Sequence, residues 1–240
     1  MRHKIVITAL LLSLAACATA PQQDYYVEPA SIQPSMILPP FPPEGSAADQ
    51  ADIAAFNARE ANDQSDIWHN AYRDADGFGT DYMFEIFAPA LGVRLTEQAA
   101  PATFALLEKT YRNMAPIMDG AKRHFNRSRP IYRFNISRFC NTKFKVQTEW
   151  GDSYPSGHAM RGWQVGLLLA EIVPDKAPDI LARAAQYGDN RVVCRVHYPS
   201  DIDAGRLLAG TYIERLQTSP DFRSDLAAAR REIESLRSAD

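Results

Sequence analysis

Beyond its first twenty residues the chain has no long apolar run, and it is poor in cysteine and histidine. Only Ile5 to Ala16 is almost wholly apolar, well short of the ~20 residues that a spanning helix needs. A body without transmembrane helices is therefore expected. The chain has three cysteines and five histidines, and none falls in paired-cysteine or His-Glu-x-x-His spacing. Neither a metal site nor a cofactor is called for. The net charge is −3, which gives no global signal for nucleic acid. Strand-like alternation is limited to Tyr132, Phe134 and Ile136, and there is no internal repeat. These scarcities leave an all-α globular body as the fold class.

What is present begins with export. Arg2 and Lys4 precede the apolar run, the pattern of a secretory signal over residues 1–20. Leu14-Ala15-Ala16-Cys17 resembles the bacterial lipobox, which implies lipidation of Cys17; the alternative is ordinary cleavage after Ala18 or Ala20, which Pro21 suits poorly. Either route leads to the periplasm, with a lipid anchor to the outer membrane in the first case. Losing Arg2 and Lys4 takes the charge from −3 to −5. Cys140 and Cys194 remain as an even pair in an oxidising compartment and are expected to form a disulfide, against the alternative of two buried thiols.

Residues 21–45 carry Pro29, Pro34, Pro39, Pro40, Pro42 and Pro43. They are expected to avoid helix and form an extended arm, packed on the body, packed on a partner subunit, or disordered. Residues 46–240 suit one domain of ordinary size. Helical patterning covers 46–62, 66–74, 80–90, 101–118, 157–172, 175–191, 201–217 and 220–237. The clearest stripe is Leu107, Tyr111, Met114 and Met118. Residues 131–154 are expected to form a long loop, a length that usually signals function.

Three short patterns carry chemistry. From Gly120 to Thr148 there are eight Lys or Arg residues and no Asp or Glu. The cations are interleaved with Phe125, Tyr132, Phe134, Phe139 and Phe144, which favour burial, so this run is expected to need a compensating anion. It contains Lys122-x6-Arg129-Pro130. Next, Pro155-Ser156-Gly157-His158 opens an amphipathic helix, whose free N–H groups and positive dipole end suit an oxyanion. Third, Arg191-x5-His197-x3-Asp201 places a carboxylate four residues after an imidazole, within reach on one helical face. Such a carboxylate fixes the tautomer and leaves the other ring nitrogen free as a nucleophile.

In order and spacing the three patterns resemble the signature of the type 2 phosphatidic-acid phosphatase superfamily, with Asn190 where that signature has serine. Cys140-Asn141-Thr142, Tyr154 to His158, Gly162-Trp163, Leu169 to Ile172 and Val193 to Asp203 further resemble the class A bacterial non-specific acid phosphatases. Ala159 and Arg195 stand where that class leads one to expect a hydroxyl residue and a glycine.

The resemblance implies a compact helical bundle of the acid phosphatase/haloperoxidase type, and metal-independent hydrolysis of small phosphomonoesters. In it His197 would attack phosphorus to give a phosphohistidine, Asp201 would hold its far nitrogen, and His158 would protonate the leaving alcohol. Lys122, Arg129, Arg191, Ser156 and the Gly157 N–H would hold the phosphate oxygens. The protonation states required, His158 charged and His197 with one nitrogen free, give a mildly acidic optimum as the expectation, and a phosphohistidine open to any small hydroxyl gives phosphate transfer to small alcohols. With the proline-rich arm, the resemblance also implies a homo-oligomer. The alternatives are a vanadate-dependent haloperoxidase, which uses a similar cage, and a non-catalytic phosphate-binding lipoprotein.

Overall fold

A computed structural model describes residues 24–62, 64–140 and 151–239. The signal region with Cys17, and Asn141, Thr142, Lys143, Phe144 and Lys145 of the basic run, lie outside the described residues.

Ten α-helical segments follow in order: α1 Pro34–Ile37, α2 Ala47–Ala58, α3 Asp66–Asp76, α4 Thr80–Leu91, α5 Pro101–Phe125, α6 Pro130–Arg133, α7 Gly157–Ile172, α8 Ala177–Val193, α9 Pro199–Leu216 and α10 Pro220–Ala239. Among the described residues there is no strand, only an isolated bridge between Arg127 and Asp152. The fold is all-α.

The core forms around α7, which packs on α8 and α9, while α5 pairs with α10. Two glycines permit the closest approach. A Cβ on Gly162 would lie 2.3 Å from the Tyr187 ring, and one on Gly166 would lie 2.5 Å from Ala184 Cβ. Met160, Val165, Leu168 and Leu169 of α7 are buried in this seam with Ile180 and Tyr187 of α8 and Leu208 and Tyr212 of α9. Burying such side chains contributes roughly 1.5–3 kcal/mol each.

The arm is not helix-free. A 3-10 turn at Pro29–Ser31 and α1 each begin at a proline, because the first helical position needs no N–H donor. The arm straps the body. Tyr26, Val27, Ile32 and Leu38 enter the main core, and the buried Asn113 amide of α5 pairs with both backbone groups of Val27, at 2.8 and 3.1 Å.

Helix α5 continues to Phe125, seven residues past its expected end at Met118. Gly120 costs about 1 kcal/mol in a helix, but burial of Ile117 and Ala121 and packing of Phe125 outweigh it. Asn126, at φ 50°, supplies the left-handed cap. Lys122 therefore stands on the rigid last turn of a 25-residue helix, not in a loop.

Candidate active site

The C-terminal turn of α5, the segment before α6, the start of α7 and the α8–α9 corner meet around one cavity. It holds about 200 Å3 and is lined by Phe78, Tyr111, Met118, Lys122, Arg129, Gly157, His158 and His197. A larger depression of about 470 Å3 between α3, α4 and α8 includes Asp74 and Arg183, already paired at 2.6 Å, and contains no imidazole. The chemistry lies in the smaller cavity.

Ser156 caps α7, its hydroxyl accepting from Ala159 N at 3.4 Å, so the helix starts at Gly157 as its sequence requires. A Cβ on Gly157 would meet Met118 Sδ at 2.7 Å. Glycine thus lets this N-terminus sit against α5, with its free N–H groups at the cavity. Ser156 and Arg191 do not line the cavity. Ser156 is buried behind it as the cap. Arg191, in the last turn of α8, is 3 % exposed with Nε and Nη1 unpartnered, and its charge acts on both His158 and His197.

His197 and Asp201 meet by a different route from the one expected. They do not share a helical face. His197 precedes α9, and Asp201 occupies the first turn of that helix, accepting from Tyr198 N at 3.0 Å. The capping carboxylate reaches back to His197 Nδ1 at 3.1 Å. On the other ring nitrogen, Arg129 Nη1 lies 3.2 Å from Nε2. Arginine can only donate, so Nε2 is the bare nitrogen and Nδ1 carries the proton.

His158 is held in the complementary way. It has a hydrogen bond to the Ala75 backbone, and its Nε2 is buried without a partner. Its ring stands edge-on to Phe78 at 4.9 Å and stacks on Tyr187 at 5.6 Å. Burial, then the charges of Arg191, His197 and Arg129, push the His158 pKa well below its usual 6.5. Burial, then Arg129, Lys122 and Arg191, do the same to His197. Burial and Arg129 lower Lys122 to about 8.

Several supporting residues were not singled out in the sequence, Arg127 entering only as one cation of the basic run. Arg127, 4 % exposed, donates to Asp201 Oδ1 at 2.7 Å, to Asp52 Oδ2 at 2.9 Å and to Ser200 Oγ at 2.7 Å. Ser153 Oγ donates to Asp201 Oδ2 at 2.6 Å. Asp152 grips Arg129 through two contacts of 2.6 and 2.8 Å.

The basic run is therefore not waiting for an anion as a whole. Arg127 is compensated by Asp52 and Asp201, Arg133 by Asp49 and Arg138 by Glu60. Its burial among aromatics was the one available hint for Arg127.

Cys140 and Cys194 form a disulfide that ties the segment after α6 to the α8–α9 corner. Arg195, where a glycine was expected, sits at φ 65°. Its guanidinium covers the Phe56 ring at 3.5 Å and donates to Phe56 O, offsetting a backbone cost of about 1–2 kcal/mol. Asn190 donates to Asp74 at 2.6 Å, so the amide in place of serine still ties α8 to α3.

Cations, two imidazoles and a helix N-terminus gather around one small cavity, a set of groups suited to an anionic ligand. The PAP2 superfamily model matches residues 105–218. The acid phosphatase of Zymomonas mobilis subsp. mobilis is 34 % identical, over 86 % of this chain and 77 % of that protein. The non-specific acid phosphatase of Salmonella typhimurium is 31 % identical over 97 % and 93 %, and that of Providencia stuartii 31 % identical over 91 % and 88 %. The chain belongs to the PAP2 superfamily, among its bacterial non-specific acid phosphatases. It is a phosphoric monoester hydrolase.

Proposed function

We propose that the protein releases phosphate from small phosphomonoesters through a phosphohistidine, without a metal. The observation that carries this reading is the pair of imidazoles at one cavity: His197 with Nδ1 held by Asp201 and Nε2 bare, and His158 tied to the Ala75 backbone with Nε2 unpartnered and open to carry a proton. The lone pair of His197 Nε2 attacks phosphorus, and Asp201 stabilises the cation that develops on the ring. The ester oxygen departs with the proton carried by His158 Nε2. Neutral His158 then takes a proton from water, whose oxygen attacks phosphorus as the P–N bond breaks. Phosphate leaves and both rings regain their starting states. A small alcohol replacing water gives phosphotransfer. Lys122, Arg129, Arg191 and the N–H groups at Gly157 spread the charge of the equatorial oxygens, with Ser156 fixing the turn.

Among the described residues no helix is long and apolar enough to cross a membrane. The signal pattern supports a periplasmic protein, with Cys17 as a lipid attachment point.

The test is turnover of an aryl phosphate by the native enzyme and by His197→Ala, each with and without a strong chelator. The expected outcome is native turnover indifferent to chelator, acid-labile phosphate on the native protein after quenching, and a loss of about 10³-fold or more in the variant. Chelator-sensitive turnover, or His197→Ala retaining native activity, refutes the proposal.

A further inference from the structure

We infer that Asp152 is a positioning residue of the phosphate cage: it fixes Arg129 and Lys122 and lowers the positive charge that meets the phosphate. This rests on the phosphatase reading above and extends it to the control of product retention. Asp152 takes the whole Nε/Nη2 edge of Arg129 in a fork. Only Nη1 is left to face His197 Nε2. Lys122 Nζ donates to the backbone carbonyl of the same residue. Two of the three cage cations thus end on Asp152.

Its backbone is well anchored. Asp152 forms the bridge with Arg127, Ser153 N donates to Arg127 O at 3.0 Å, and Gly151 N donates to Asn126 Oδ1 at 2.8 Å. A Cβ on Gly151 would lie 2.1 Å from Asn126 O, so only glycine allows this approach. Burial pushes the Asp152 carboxyl up, but the Arg129 fork and the Lys122 and His197 charges outweigh it and hold the group below its usual range.

Lys122, Arg129 and Arg191 supply positive charge at the cage, and the Asp152 carboxylate on Arg129 takes one unit of it away. Without that carboxylate the cage is one unit more positive and its arginine has lost its brace. Tighter ground-state binding of phosphate combined with poorer aim at the transition state slows turnover.

The experiment compares native enzyme with Asp152→Asn and Asp152→Glu, measuring kcat on an aryl phosphate and the competitive Ki of inorganic phosphate. For Asp152→Asn we expect kcat to fall about tenfold or more while Ki tightens by about threefold or more. A protein merely less folded would lose kcat with Ki unchanged. Asp152→Glu restores the charge and should return Ki to the native value while kcat stays reduced, because the fork is displaced by a methylene. If Asp152→Asn does not fold, Asp152→Ser carries the test, with the same fall in kcat and the same tightening of the phosphate Ki expected. Native kcat in either variant, or an unchanged or weaker phosphate Ki in Asp152→Asn, overturns the inference. Absence of His197-dependent turnover in the native enzyme would instead overturn the phosphatase reading on which it stands.

Discussion

An oxyanion entering the cavity should bring a proton to His158. Burial and the nearby Arg191, His197 and Arg129 charges disfavour the His158 cation and hold its pKa well below the usual 6.5. A dianion reverses that balance. At about 4 Å and an effective dielectric near 20, each unit of charge contributes about 4 kcal/mol, so a dianion contributes about 8 kcal/mol. That attraction opposes the effect of burial and of the cations, and the His158 midpoint moves up when the anion binds. Between the free and bound midpoints, each anion bound takes up about one proton, and its affinity falls about tenfold per pH unit as pH rises. Sulfate is the suitable probe, since it remains a dianion throughout this range and every proton taken up is the protein's. Its Ki should be measured from about pH 5 to 7.5, with calorimetry in two buffers of different ionisation heat. His158→Asn should make the Ki flat. A flat Ki in the native enzyme, or a slope that survives in His158→Asn, refutes the reasoning.

Two further outcomes concern stability. Arg127→Met leaves Asp52 and Asp201 buried without their cation and should cost about 3–5 kcal/mol, with a matching loss of kcat as Asp201 loses the donor on Oδ1; an unchanged melting temperature would contradict it. Asn113→Ala removes both buried bonds to Val27 and should cost about 1–3 kcal/mol. That is several degrees in Tm for a chain of this size, about 2–4 °C per kcal/mol, and a shift under one such step would show that the strap contributes little.

The parts of the site visible in the sequence are those whose chemistry is local. A serine cap followed by glycine and histidine needs only its own helix, and α7 begins where Gly157 implies. His197 and Asp201 are close in sequence, so their meeting was legible even though a helix cap, not a shared face, brings it about. Arg127 shows the opposite case. Its partner Asp52 lies 75 residues away, in a helix with no other mark of function. Asp49 and Glu60 likewise neutralise Arg133 and Arg138 from far upstream, which no local charge count reveals. Helix α5 passed its expected end because burial overcame the cost of Gly120, a tertiary effect that periodicity alone does not contain. Asp152 stayed hidden beside the conspicuous Pro155-Ser156-Gly157-His158 run, since a lone acid next to a motif reads as loop.

Cys194 sits three residues after Arg191 and three before His197. Its bond to Cys140 therefore staples the corner that carries His197. While that staple is unmade, the corner is held by packing and hydrogen bonds alone. The placement of His197 would thus tighten in an oxidising space and loosen in a reducing one.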